Sequence, residues 1–347
     1  MTFTPVVSAK KRFAYCTLSE MAADLGDIGI RDDVLARFII PATQYLLNEI
    51  GQFLPVYETR VFSGNSKADL VINPLLTLES VANDTTPVLA GSYILEPTTR
   101  MWQYGPYVKI SLDLQNATGA FWIPKKDAVQ LVGTWGLYEQ IKTTGATIKT
   151  TQGAADATLE VSDAGKVSSG MLLLVESEMQ FVTGFSDPAA AVTALSVTCD
   201  NQTESLTVAS TANIHVGEII RIDFERMLVL DKTSTKINVA RGWAGTTKTA
   251  HSSSADIDVY KVFTVDRAVN GSAAAAHAAT TAIQRYMVPE DVNYLCRQIA
   301  TLMMKKSQTG YAGRSGNSET GETFYNFEFP RDVIERVKRN YSIPHMR

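Results

Sequence analysis

Apolar and polar positions change period several times along the chain, and each change marks a different kind of element. Thr17-Leu18-Ser19-Glu20 sets a hydroxyl cap with a carboxylate three residues on, and Met21 and Leu25 follow before Gly26, which predicts a short helix over 17–25. Val34, Leu35, Phe38, Ile39, Ala42, Tyr45, Leu46 and Ile50 recur at the spacing of one buried helical face, so a long helix is expected over 32–51. Pro41 falls inside that helix and must remove a hydrogen bond or bend the axis. From Val56 to Gly136 the pattern shortens to runs at 56–62, 69–72, 75–82, 92–95, 106–112 and 128–135, separated by Gly, Pro, Asn and Asp. Within them Val108, Ile110 and Leu112 alternate with Lys109, Ser111 and Asp113, as in a sheet with one wet face.

Helical spacing returns near the C-terminus. Val288-Pro289-Glu290-Asp291 places proline and two acids in a first turn, and Lys305 and Lys306 stand in the last, matching the helix dipole at both ends. The stripe Val292, Leu295, Cys296, Ile299, Leu302 and Met303 is expected to pack on the 32–51 helix. Residues 307–323 are rich in Gly and Ser and poor in apolar groups, which predicts a flexible linker. An aromatic strip, Phe324-Tyr325-Asn326-Phe327-Glu328-Phe329, then precedes a short helix starting at Pro330 and carrying Val333, Ile334 and Val337.

The middle of the chain repeats itself twice, with different offsets. Leu159 and Leu206, Gly170 and Gly217, and Glu178 and Glu225 stand 47 residues apart. Arg241, Gly245, Ala250, His251, Ile257 and Tyr260 recur 26 residues on as Arg267, Gly271, Ala276, His277, Ile283 and Tyr286. First halves come together and second halves come together, so the simplest reading is one small β-unit inserted inside its own copy. The outer unit would join 157–186 to 262–286, and the inner unit would be 204–260. The alanine-rich run 271–279 has helical propensity, yet its counterpart 245–253 is rich in Thr and Ser, so 268–286 is read as a loop followed by a strand.

The expected fold class is therefore α+β: a small helical core with a β-stretch, discontinuous over 1–140 and 288–347, interrupted by an all-β module over 141–287. A length of 347 residues is compatible with two cores. The sequence shows no basic-then-apolar leader and no stretch of about twenty apolar residues, so no membrane role is expected. Three isolated cysteines, Cys16, Cys199 and Cys296, argue against a disulfide framework and a cysteine-rich metal site. A net charge of −4 makes strong sequence-independent attraction to nucleic acid phosphates unexpected.

Candidate chemistry is sparse. His251 and His277 are equivalent in the two repeats, but no second His or Cys stands beside either at ligand spacing, so each is read as a loop histidine holding a turn through a backbone bond. Glu178 and Glu225 are equivalent acids in separate repeats, read as solvated or turn-stabilising rather than as a catalytic pair. Phosphate-loop, nucleophile-elbow and zinc-protease motifs are missing. No catalytic residue, cofactor or metal site is assigned; a hydrolase assembled from scattered residues is kept only because fold does not fix function.

The order of elements, with Gly133-Thr134-Trp135-Gly136 closing the β-stretch and Val288-Pro289-Glu290-Asp291 opening the later helix, resembles the head-to-tail connector (adaptor) proteins of tailed bacteriophages. The resemblance covers about 15–140 and 288–340. The β-module departs from the family pattern, and its Arg241-Gly242-Trp243-Ala244-Gly245-Thr246-Thr247 segment looks like small β-insertions of phage virion proteins. What the resemblance implies is a non-catalytic structural protein of the virion neck, assembled in the host cytoplasm. It would form a homo-oligomeric, twelvefold ring between portal protein and tail or tail-fibre proteins, through which genomic DNA passes without tight binding. By position, portal docking falls to Phe324, Tyr325, Phe327, Phe329, Ile334 and Val337, with Arg331, Arg336, Lys338 and Arg339 as charge partners. Removal of 324–347 is then expected to abolish portal association and leave the core folded. The alternative is a virion surface protein whose β-module binds host glycans.

Overall fold

The computed structural model describes residues 10–26, 30–100, 102–116, 121–186, 188, 191–308 and 329–343, and 314–317 and 322–325 as backbone. Helix α1 (Leu18–Leu25) starts on a full capping box between Thr17 and Glu20 and stops at Gly26, whose φ of 58° suits glycine. Helix α2 (Asp32–Ile50) runs through Pro41 and buries Leu35, Ile39, Ala42, Leu46 and Ile50. Strands β1 (Val56–Phe62), β2 (Asp69–Asn83), β3 (Thr86–Val88), β4 (Tyr93–Glu96), β5 (Tyr107–Leu112) and β6 (Val129–Trp135) form one antiparallel sheet in the order β1-β6-β2-β5-β4, with β3 beside β2. The runs expected at 69–72 and 75–82 are the single long strand β2, whose pairing with β5 shifts register between Val71 and Leu75. Trp122 and Trp135 are fully buried in this sheet's own cluster.

The module comprises β7 (Gln140–Thr147), β8 (Thr158–Glu160), β9 (Leu172–Val175) and β10 (Glu178–Phe185), then β11 (Ala191–Ala194), β12 (Ser205–Thr207), β13 (Ile219–Ile222), β14 (Glu225–Lys232), β15 (Lys236–Arg241) and β16 (Asp256–Val259), then β17 (Val262–Asp266) and β18 (Ala282–Met287). They make two six-stranded sheets, β7-β18-β9-β10-β17-β8 and β11-β16-β13-β14-β15-β12, which match strand for strand. Each sheet closes on itself, through the bridges Ile148↔Val161 and Leu195↔Val208, so each is a small barrel filled by its own apolar cluster. The inner barrel sits in the connection between β10 and β17, where its own counterpart is the short turn between β14 and β15. Strands β7 and β11 extend the two units N-terminally of 157 and 204. Residues 268–286 form a loop with a short 3-10 turn at Val269–Gly271 and then β18.

Helix α3 (Glu290–Gln308) packs along α2, and α4 (Arg331–Asn340) packs on both. Part of the stretch expected to be a linker is ordered: Gln308 ends α3, and β19 (Arg314–Asn317) pairs with β20 (Glu322–Tyr325).

The expected α+β class with a small helical core is not what the chain forms. Strand dominates, in three six-stranded sheets against four helices among the described residues, and the helices do not close a core of their own. The cluster they line is completed by Val108 of the first sheet and by Leu172, Met179, Phe181 and Val269 of the outer barrel. Helices of eight and ten residues are too short to cover both stripes of α2 and α3, so sheet residues supply the remaining apolar surface.

Candidate functional site

Each barrel holds one buried charge clamp. In the outer barrel Glu178 opens β10 just after a tight turn at Glu176, Arg267 follows β17, and His277 lies on the loop leading to β18. Arg267 donates through Nε to Glu178 Oε1 at 2.7 Å and through Nη2 to Oε2 at 2.5 Å, and its Nη1 donates to the carbonyls of Gly153 and Asp156. The N–H groups of Ala268 and Ala275 also donate to the Glu178 carboxylate. The His277 ring lies between two acids, Nε2 at 2.8 Å from Glu178 and Nδ1 at 2.7 Å from Glu176. The inner barrel repeats this atom for atom: Arg241 grips Glu225 at 2.7 Å twice and the carbonyls of Asp200 and Thr203, and His251 lies between Glu225 and Asp223.

Glu178, Glu225, Arg241, His251 and His277 are all buried. Burial pushes the Glu225 carboxyl up, but Arg241, the Thr249 N–H and His251 outweigh it and bring it down to about 2. Glu178 is lowered in the same way, against burial, by Arg267 and His277. Two expectations need correction. The acids are buried rather than solvated, and the histidine rings are held by carboxylates, while the main-chain bonds are made by the backbone of His251 with Cys199 and of His277 with Gln152. Every polar side-chain atom of Glu178, Arg267 and His277 has a protein partner, so the clamp presents no free base or nucleophile and acts as a strap between three loops. Sequence reasoning paired the acids and the histidines across the repeats but gave no role to Arg241, Arg267, Asp223 or Glu176; the coincidence of the arginines in both repeats was the available signal.

One loop of each barrel serves as its attachment point. In the outer barrel Ser169 accepts the Leu18 N–H at 3.0 Å and Ser168 Oγ accepts that of Ser19, so residues 168–170 seat on the start of α1. In the inner barrel the equivalent residues 215–217 seat on the outer barrel instead, where buried Glu218 accepts the Ala164 N–H at 3.0 Å and faces Lys261 at 3.3 Å. Asp163, His215 and Glu218 bring ligand-type atoms within 4.8 Å of one another. The Lys261 ammonium and two backbone N–H groups already engage Glu218, so the cluster is built as a joint between barrels.

The C-terminal surface splits the residues expected to dock. Ile334 and Val337 are buried in the cluster shared with α2 and α3. Phe329 stacks on Tyr45 with ring centroids 4.9 Å apart and lies under Lys306. Tyr341 packs edge-on against Phe53. Arg331, Arg336, Lys338 and Arg339 are exposed along the outer side of α4, with Lys338 3.7 Å from Glu49. Phe324 and Tyr325 belong to the backbone of β20, and Phe327 lies outside the described residues. Because α4 lines the shared core, its removal would expose apolar surface of α2 and α3. Among the described residues no helix is long and apolar enough to cross a membrane. Comparison with known protein families, characterised proteins and solved structures finds no match to this chain.

Proposed function

We propose that this chain is a structural subunit of a tailed-phage neck, forming a ring that joins portal to tail and continues the DNA channel, with the two barrels as contact modules. The observation that carries this reading is the C-terminal surface: α4 is held by Ile334 and Val337 so that four basic residues face outward, and the hairpin β19–β20 that precedes it in the chain is a two-stranded sheet among the described residues. A two-stranded hairpin is marginal alone, so it is suited to being completed by a partner. The buried acids and histidines, which are the residues most suggestive of chemistry, are spent on holding loops.

Triple substitution Arg331→Glu, Arg336→Glu and Arg339→Glu tests it, because these side chains are exposed and the core is untouched. Electron microscopy of the full chain mixed with portal protein is expected to show a coaxial ring, and the variant is expected to keep its melting temperature and lose at least about tenfold in portal affinity, the order expected for arginine-rich hot spots. Unchanged association of the variant would overturn the docking assignment, and absence of any ring with the unaltered chain would overturn the neck assignment.

A further inference from the structure

The three cysteines are far apart in the sequence, yet two of them meet in the fold. All three are buried and carry free thiols. Cys199 belongs to the cluster inside the inner barrel, whereas Cys16 and Cys296 share the cluster lined by the helices. Three side chains press the stretch around Cys16 onto the part of α3 that carries Cys296. Asn293, one turn before Cys296, donates through Nδ2 to the Tyr15 carbonyl and to Glu20 Oε2, both at 2.9 Å. Thr43 Oγ1 on α2 accepts the Tyr15 N–H at 3.0 Å and stands 3.6 Å from Cys296 Sγ. Arg297, the residue after Cys296, holds Asp24 of α1. The two thiols face each other inside this frame: the Cys296 thiol, as a hydrogen-bond partner, does most to push the Cys16 thiol well up, and burial comes second.

Cys16 lies in the bend just before α1, so it can be re-aimed without breaking a helix. It also lines a cavity of about 90 Å³ whose wall continues through Glu20, Asn293 and Met287 to exposed Glu290; Cys296 is not part of that wall. A water molecule takes up about 30 Å³ of liquid, so the cavity has room for hydrogen peroxide beside the Cys16 sulfur. The two cysteines therefore divide the work. Peroxide transfers one oxygen to the Cys16 sulfur as its O–O bond breaks, giving a sulfenic acid and water. The Cys296 sulfur then bonds to the Cys16 sulfur and displaces hydroxide, which leaves as a second water with the Cys296 thiol proton. Two thiols are oxidised, one peroxide is reduced, and no other reagent is consumed. Because the Cys16 thiol is held protonated, little thiolate is present and the reaction is slow, as for a bond set over the life of an assembly rather than a fast sensor.

We propose that Cys16 and Cys296 are an oxidation site, at which peroxide entering beside Cys16 converts the pair to a disulfide that ties the segment before α1 to α3. Both barrels lie between the two cysteines in the chain, and a cross-link around so long a loop restricts the unfolded chain strongly. The full chain is incubated with hydrogen peroxide, unfolded in iodoacetamide, digested and mapped by mass spectrometry. Expected is a peptide pair joining Cys16 to Cys296, with Cys199 alkylated. Adding dithiothreitol to the oxidised, folded chain is expected to release the pair and to lower the melting temperature by several degrees. Cys296→Ser keeps a small polar side chain beside Thr43 and removes the second thiol, so dimedone added on unfolding is expected to trap a sulfenic acid on Cys16 in this variant and not in the unaltered chain. The map of the unaltered chain decides the case whether or not the variant folds. Recovery of Cys16 and Cys296 as alkylated thiols, as sulfinic acids, or linked to Cys199 or to another chain instead of to each other would each overturn the proposal, as would a melting temperature that dithiothreitol does not move.

Discussion

The two barrels share strand order, closure and charge clamp, yet one is built into the molecule and the other is hung on it. The outer barrel lends one face to the helical cluster and seats its 168–170 loop on α1. The inner barrel touches the outer one through the equivalent loop, rests Trp243 of the equivalent face on the helical cluster, and turns Arg221, Arg226 and Tyr260 to a cleft. What is common to both is what a barrel needs to exist: an interior filled by its own side chains and three loops strapped by one Arg-Glu-His cluster. What differs is the outer face, where Leu174 and Met179 are replaced by Arg221 and Arg226. A fold whose stability is internal can change its surroundings by changing its surface alone.

The sharpest way to break this comparison is to cut each clamp. Glu225→Gln and Glu178→Gln each leave an arginine buried without its counter-charge, a loss of about 3–5 kcal/mol. Glu225→Gln is expected to give a separate early calorimetric transition with α2 and α3 amides still protected from hydrogen exchange. Glu178→Gln is expected to loosen those helices too, since Met179 and Phe181 are part of their cluster. Equal loss of protection in both variants would mean that the inner barrel is not energetically separable.

A finer probe is the attachment glycine. Gly170 and Gly217 both have positive φ, +93° and +87°, so alanine is strained at either, by about 1–3 kcal/mol. A Cβ at Gly170 would also lie 2.8 Å from the Cys16 carbonyl oxygen, whereas at Gly217 the nearest atom is 3.4 Å away. Urea unfolding should therefore rank Gly170→Ala as the more damaging; the reverse order would contradict the tighter seating of the outer barrel.

The smallest expected effect is in acid. The folded Glu225 carboxyl, at about 2, lies below its ordinary value of 4.5, so its contribution is present above about pH 4.5 and is lost as pH falls toward 2. Roughly 1 kcal/mol should have gone by about pH 3.5. Glu225→Gln should flatten the acid dependence of the inner-barrel transition, and an unchanged slope would show that another group sets it.

Much of this architecture was legible from period and repeat. The capping box at Thr17, the stripe of α2 and the Pro-started helix α3 are local signals, and local signals suffice for helices with good caps. The strand at 282–287 was recovered despite the six alanines of 273–279 because the counterpart of that run in the repeat has no helical propensity. Strands β7 and β11 were missed because β7 is rich in Thr, β11 is half Ala, and the two carry few matched apolar residues. The balance of helix and sheet was misjudged for a different reason: an apolar helical stripe says that a partner exists, not that the partner is another helix. The clamps were only half visible. Charge is readable in a sequence, but burial of Glu178 and Glu225 follows from contacts with residues up to about a hundred positions away, such as His277 and Ala275.

The placement of the inner barrel between β10 and β17 also sets an order in time. Synthesis proceeds from the N-terminus, so the inner barrel has all its strands once Val259 is made, while the outer barrel must wait for β17 and β18, and the helical layer for α3 and α4. The segment that closes last is the one that carries the exposed arginines of α4. A chain with this topology therefore has every strand of both barrels in hand before the surface of α4 is made.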